Sequence, residues 1–235
     1  MKIAGQILSG IIQKLRETVH VGVTTAEIES VAERLMSKEK VVSAFKGYRG
    51  YPGQICTSVN EEIVHGIPGG RTLKEGDIIS LDVGIKYKGF YSDAAITVPV
   101  GDVAVPVEKL LEVTQVSLEK GIALALPGNH LFDISHAIQV HVESNGFSVV
   151  RDFVGHGIGT KLHEDPEIPN YGLPHTGEIL KPGMVLAIEP MVTQGTCECR
   201  ILSDGWTAIT KDGKYSAHFE HSVAITENGP KVLTA

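Results

Sequence analysis

The sequence is short of several features that would each fix a class. Among 235 residues there are only three cysteines, Cys56, Cys197 and Cys199, and one tryptophan. An odd, widely spaced set of thiols makes no disulfide framework, and Cys197-x-Cys199 has no second pair to complete a zinc clip. Reduced, buried thiols in a cytosolic protein are therefore expected. Long hydrophobic runs are missing too, since none approaches the roughly 18 apolar residues of a membrane span. The opening MKIAGQILSGIIQKL lacks the basic stretch and the small-residue cleavage site of a secretory signal. Basic charge is scarce: 21 Lys and Arg stand against 28 Asp and Glu, for a net charge of -7. That balance argues against a nucleic-acid backbone as partner. No low-complexity stretch and no Pro-, Gly- or Ser-rich linker divides the chain. The expectation is a soluble, cytoplasmic single domain over residues 1–235, with no membrane and no nucleic-acid substrate.

What is present is periodicity. Ile3, Ile7, Leu8, Ile11 and Leu15 recur at helical spacing, which predicts a helix over residues 2–18. Thr24 with Glu27 makes a capping-box pattern, and Ile28, Val31, Ala32 and Leu35 follow it, so residues 25–38 form a second helix. The period then shortens. Residues 78–83 and 95–98 read as strands, joined into a hairpin by a turn at Lys88-Gly89. The pattern recurs, with a helix opened by Pro106 and running to about Leu126. Another covers about 131–144 and stops at Asn145-Gly146. Apolar runs at 183–189 and 218–226 complete the set. Each half reads helix, helix, strand hairpin. The expected fold is α+β: a duplication with halves of about 1–102 and 103–235 about a pseudo-twofold axis, and an antiparallel sheet with its helices on the outer side.

Acids inside apolar strands carry the chemistry. Asp82 interrupts Ile-Ile-Ser-Leu-Asp-Val, and Glu189 interrupts Val-Leu-Ala-Ile-Glu-Pro. A carboxylate buried in a strand is expensive unless it is paired or bound to a cation. Lys and Arg are few around both runs. Folding the halves together would bring Asp82, Asp93, Glu189 and Glu220 into one place, where each would raise the pKa of the others. Divalent ions relieve that repulsion. His156, set among glycines in Gly155-His156-Gly157-Ile158-Gly159, is a fifth candidate ligand. Four carboxylates and one imidazole form a hard, oxygen-rich set suited to Mn, Fe(II) or Co, with zinc as an alternative. Shared carboxylates favour two ions roughly 3.5–4 Å apart.

With these residues in place, the sequence resembles the methionine aminopeptidases of the pita-bread fold over nearly its whole length. The matching motifs are Asn60-Glu61-Glu62-Ile63-Val64-His65-Gly66-Ile67-Pro68, Asp82-Val83-Gly84 followed by Asp93, Gly155-His156-Gly157-Ile158-Gly159 followed by His163, Ile188-Glu189-Pro190, and Phe219-Glu220-His221. The resemblance implies that Asp93 and Glu220 bridge two ions, that Asp82 serves one, and that His156 with Glu189 serves the other. Water activated there would attack the bond after an N-terminal methionine, while the free amino group lies near one ion. Glu189 would relay the proton, and His65 and His163 would hydrogen-bond the scissile peptide. The pocket for an unbranched thioether would be walled by Phe45, Tyr48, Tyr51, Cys56, Leu162 and Trp206.

The chain departs from common family residues at Phe45, where many bacterial members have cysteine, at Arg49, where some have histidine, and at Leu162, where some have phenylalanine. The chain also opens directly in its first helix, later than many members do. The interval from His163 to Glu189 is too short for the helical insertion of type II members, which implies a compact, bacterial-like type I enzyme. Its implied partners are nascent polypeptides met in transient contact with the ribosome, and a monomer is expected. The rival readings are an X-Pro aminopeptidase or prolidase of the same fold, and a non-catalytic binding relative.

Overall fold

The computed structural model describes all of residues 1–235. The first half of the chain forms α1 (Lys2–Arg16), α2 (Thr25–Lys38), β1 (Val42–Ser43), β2 (Cys56–Val59), β3 (Glu62–Val64), β4 (Ile78–Tyr87) and β5 (Phe90–Pro99). The second half opens with α3 (Val105–Leu124), α4 (Leu131–Ser144), β6 (Ser148–Val149), β7 (Gly155–Gly157) and β8 (Glu164–Ile168). It ends with β9 (Val185–Ile188), β10 (Met191–Thr193), β11 (Cys199–Ile201), β12 (Ala208–Thr210), β13 (Ser216–His218), β14 (Glu220–Thr226) and β15 (Gly229–Val232).

The helices form for the reasons their sequences give. The Thr24 hydroxyl accepts from the Glu27 N–H at 3.2 Å, and the Thr24 N–H donates to Glu27 Oε2 at 2.8 Å. Such a cap stabilises a helix start by about 1 kcal/mol. On α1 the buried stripe is Ala4, Leu8, Ile11, Ile12 and Leu15, while Ile3 is 58% exposed. The expected stripe was thus slightly rotated: Ala4 and Ile12 take the inward places. Gly146, just past α4, has φ +83 and closes that helix. Lys88 and Gly89, with φ +48 and +88, make the two-residue turn that joins β4 to β5, matching the right-handed twist of the strands.

The main sheet has the order β1-β4-β5-β14-β9-β7-β8, with β2 added on β4 and β15 on β14. All of its pairings are antiparallel. Its two halves meet where β5 lies against β14. That seam has only two register pairs, Glu220 with Ala95 and His221 with Ala94. In the second half β9 and β14 do pair, from His221 with Ile188 to Ala224 with Val185. They are not a simple hairpin, as the sequence pattern suggested. Residues 189–219 leave the sheet between them and build β10 to β13, which form two small sheets with β6 and β3.

Strand alternation divides the side chains between two faces. Ile79, Leu81, Val83 and Ile85 pack with Leu8, Ile11, Leu15 and Ile28 beneath α1 and α2. Leu186, Ile188, Val223 and Ile225 pack with Leu110, Val113, Ile134 and Ile138 beneath α3 and α4. Each such side chain contributes about 1.5–3 kcal/mol when fully buried. The positions between them on β4 and β14 face the other way, which is how acids come to lie in apolar strands. No helix is long and apolar enough to cross a membrane.

Candidate active site

On that opposite face, residues of four strands align in one row. Cys56 pairs with Asp82, Asp82 with Ala95, and Ala95 with Glu220. Asp93 stands across from Gly84 on the same hairpin. In the next part of the sheet His156 pairs with Ala187, and Ala187 with Ser222. Alanines at 95 and 187 leave room between the functional side chains. Glu189 follows β9 directly. Ligand atoms of Asp93, His156 and Glu220 lie within 4.8 Å of one another. Glu189 joins them through His156, whose Nε2 is 3.6 Å from Glu189 Oε1. Asp82 flanks the cluster from the β4 side.

The glycines around His156 serve the sheet. A Cβ on Gly155 would run into the carbonyl oxygen of Ala187, and one on Gly157 into that of Asp165. They let β7 lie tightly between β9 and β8, so the close approach expected of them is made by neighbouring strands.

The electrostatics are those of a site built for cations. Burial pushes the carboxyls of Asp82, Asp93, Glu189 and Glu220 above the usual carboxylate range, and their mutual repulsion adds to the shift in Asp82, Glu189 and Glu220. Asp82 Oδ1, Asp93 Oδ1 and Glu220 Oε1 are buried with no hydrogen-bond partner. Orphaned carboxylate oxygens of residues lining one cavity fit divalent metal ions. The imidazoles go the other way. Burial lowers the pKa of His65 and His156, and takes His163 to about 4, helped by His156 and Arg49. All three are neutral at physiological pH.

A cavity of about 190 Å³ opens onto this cluster. It lies below the range of drug-sized sites, roughly 300–1,000 Å³, and suits one side chain. Every residue singled out from the sequence lines it: Phe45, Tyr48, Tyr51, Cys56, His65, Asp82, Asp93, His156, Leu162, His163, Glu189, Trp206 and Glu220. Tyr51 meets Trp206 edge-on at 5.1 Å between ring centroids, and His65 meets Phe153 edge-on at 5.4 Å. His65 sits at φ +61, a left-handed conformation uncommon outside glycine.

Two further residues belong to the site. Arg49 lines the cavity, although the sequence marked it only as a departure. His218 is buried, with Nε2 3.6 Å from Glu189 Oε2, and burial takes its pKa down to about 3. It ends β13, two residues before Glu220, and reaches the site through Glu189; no local sequence pattern marks it.

Residues 1–227 match metallopeptidase family M24. The chain is 54% identical over 234 residues to a methionine aminopeptidase 1 of Bacillus subtilis, covering 100% of this chain and 94% of that protein. This chain belongs to metallopeptidase family M24 and, within it, to the methionine aminopeptidases. Its pita-bread fold is shared with other M24 members. A crystal structure of a methionine aminopeptidase from Thermotoga maritima superposes with a TM-score of 0.98 at 50% identity, covering 100% of this chain and 94% of that one. A prolidase from Pyrococcus horikoshii shares the M24 fold with a TM-score of 0.79 at 22% identity, and this chain spans 60% of its length. As an M24 member the chain is a hydrolase, with a candidate metal cluster at its centre.

Proposed function

We propose that this chain removes the N-terminal methionine from newly made proteins by hydrolysing their first peptide bond, preferring a small second residue. One observation carries the reading: orphaned carboxylate oxygens and an apolar wall sized for a single side chain meet in one cavity. Asp82, Asp93, His156, Glu189 and Glu220 are the residues that would hold two divalent metal ions. Manganese, iron(II) or cobalt suits the donor set, with zinc as the alternative. When bound, such ions acidify water and polarise a carbonyl.

The chain's own residues supply the rest. Glu189 lies against two neutral imidazoles, those of His156 and His218. Its carboxylate takes a proton from the attacking water and returns it to the leaving amine. His65 and His163, neutral through burial, donate N–H to the scissile peptide and its developing charge. Phe45, Tyr48, Tyr51, Cys56, Leu162 and Trp206 enclose the methionine side chain. Fully burying such a side chain contributes about 1.5–3 kcal/mol, which is roughly a 10- to 150-fold preference over a residue that leaves the pocket empty. The chain would work as one unit of two pseudo-repeats, 1–102 and 103–235. A monomer acting in the cytoplasm, in transient contact with the ribosome, completes the proposal and rests on family likeness alone.

The X-Pro reading has no observation in its favour, since the prolidase likeness extends to the fold only. The test is cleavage of Met-Gly-Ser, Met-Lys-Ser, Leu-Gly-Ser and Ala-Pro-Ser by metal-stripped protein, before and after adding Mn(II) or Co(II). Metal-dependent release of methionine from Met-Gly-Ser alone is expected. Cleavage of Ala-Pro-Ser instead would move the chain to the X-Pro hydrolases. No cleavage of any peptide by folded, metal-loaded protein would refute the reading.

A further inference from the structure

Tyr48 stands in the wall of the methionine cavity, and its hydroxyl has a second task. The hydroxyl lies 2.8 Å from Nδ1 of His163, with the two rings 5.1 Å apart between centroids. No other hydrogen bond is made by that hydroxyl or by the His163 ring. The ring lines the cavity, 4.2 Å from the ring of His156.

A neutral imidazole carries one proton, on one nitrogen or the other, and the partner of the first nitrogen decides what the second can do. If the Tyr48 O–H donates to Nδ1, then Nε2 carries the proton and is a donor. If Tyr48 accepts from Nδ1, then Nε2 is a bare lone pair. The chemistry of the two partners chooses between these forms. A phenol O–H is a better donor than a neutral imidazole N–H, and an imidazole nitrogen is a better acceptor than a phenol oxygen, so Nδ1 accepts and Nε2 keeps the proton. Phenol-to-imidazole donation also uses the one proton that Tyr48 has to give.

We infer that Tyr48 holds His163 in its Nε2–H form, and is thereby a positioning residue for the donor that meets the scissile carbonyl. The inference rests on the reading of His163 as that donor. It gives one side chain two roles: the Tyr48 ring selects the substrate, and its hydroxyl readies the catalytic histidine.

The test uses Tyr48→Phe, which keeps the ring and removes only the oxygen. In diamagnetic Zn(II)-loaded protein labelled with ¹⁵N-histidine, the native His163 signals should be pyrrole-like at Nε2 and pyridine-like at Nδ1. In Tyr48→Phe the Nδ1 signal should move toward that of an unbonded ring. The kcat on Met-Gly-Ser should fall about three- to tenfold, the loss of roughly one neutral hydrogen bond, with KM within about twofold. In a His163→Ala background the Tyr48 change should cost nothing further. A protonated Nδ1 in the native protein would overturn the inference. So would a native kcat in Tyr48→Phe while His163→Ala is slow, which leaves the reading of His163 intact. A native kcat in His163→Ala would discard that reading and the inference with it.

Discussion

Tyr51 offers a perturbation whose size can be worked out atom by atom. Its side chain is only 4% exposed, and its hydroxyl reaches the carbonyl oxygens of Ile55 at 3.1 Å and Gly66 at 3.0 Å. The Gly66 carbonyl also accepts from the Thr57 N–H at 2.8 Å, so it keeps a partner without Tyr51. The Ile55 carbonyl has no other donor. Tyr51→Phe therefore strands one buried acceptor, which costs about 1–3 kcal/mol. For a chain of this size each kcal/mol lowers Tm by roughly 2–4 °C. A fall of roughly 2–12 °C is the expected calorimetric result. The same bond bears on activity. Gly66 follows His65, and with the hydroxyl gone its carbonyl keeps only the Thr57 N–H, which loosens the left-handed backbone that aims the imidazole. The aromatic wall and its contact with Trp206 survive in phenylalanine. On Met-Gly-Ser, kcat should fall while KM hardly moves. A raised KM with native kcat would refute the reasoning, because the hydroxyl would then be serving the pocket. An unchanged Tm would refute the hydrogen-bond account directly.

Three other outcomes follow from the same geometry. Glu220→Gln should lose bound metal and peptide hydrolysis together, read by metal content and turnover; full activity would end its assignment as a ligand. His163→Ala should lower turnover by roughly a hundredfold, the usual loss of one donor to a developing oxyanion, with both ions retained. The third concerns pH in chelated protein. The four site carboxyls have folded pKa values above their unfolded ones, so their stabilising contribution is whole below about pH 4 and is lost as pH rises through the folded values. His65, His156, His163 and His218 have folded values below about 6.5, so theirs is whole above that pH and is lost on acidification. Above about pH 6.5 only the carboxyls still act. Denaturant midpoints of the chelated protein should then fall toward about pH 8, with a shallower fall after metal is restored. A midpoint that rises over that interval would contradict the assigned directions.

Much of this was legible in the sequence, for reasons that differ by element. The four long helices declared themselves by apolar spacing and by caps, since a helix of three or more turns samples its own period several times. The β4–β5 hairpin did so through Lys88-Gly89. The acids were conspicuous because strands that are otherwise apolar have no other use for them. Residues 146–183 were opaque. There β6, β7 and β8 are two to five residues long, too short to show alternation, and they are strands because the sheet has a place for them. His218 and Arg49 were missed for a related reason. The meaning of His218 comes from Glu189 beside it, and that of Arg49 from the cavity it lines, and no local pattern encodes either.

The seam between β5 and β14 has a mechanical consequence. Backbone pairing across it is slight, two residue pairs, while Asp82 and Asp93 stand on one side and His156, Glu189 and Glu220 on the other. Four buried carboxyls there repel one another across a join of only two residue pairs. Cations that quenched that repulsion would also rivet the two halves. Chemical reactivity and tensile strength are thus concentrated on the same few side chains. Amide hydrogens of Ala94, Ala95, Glu220 and His221 should exchange with deuterium sooner once those cations are withdrawn, while the interiors of the two helical cores stay protected.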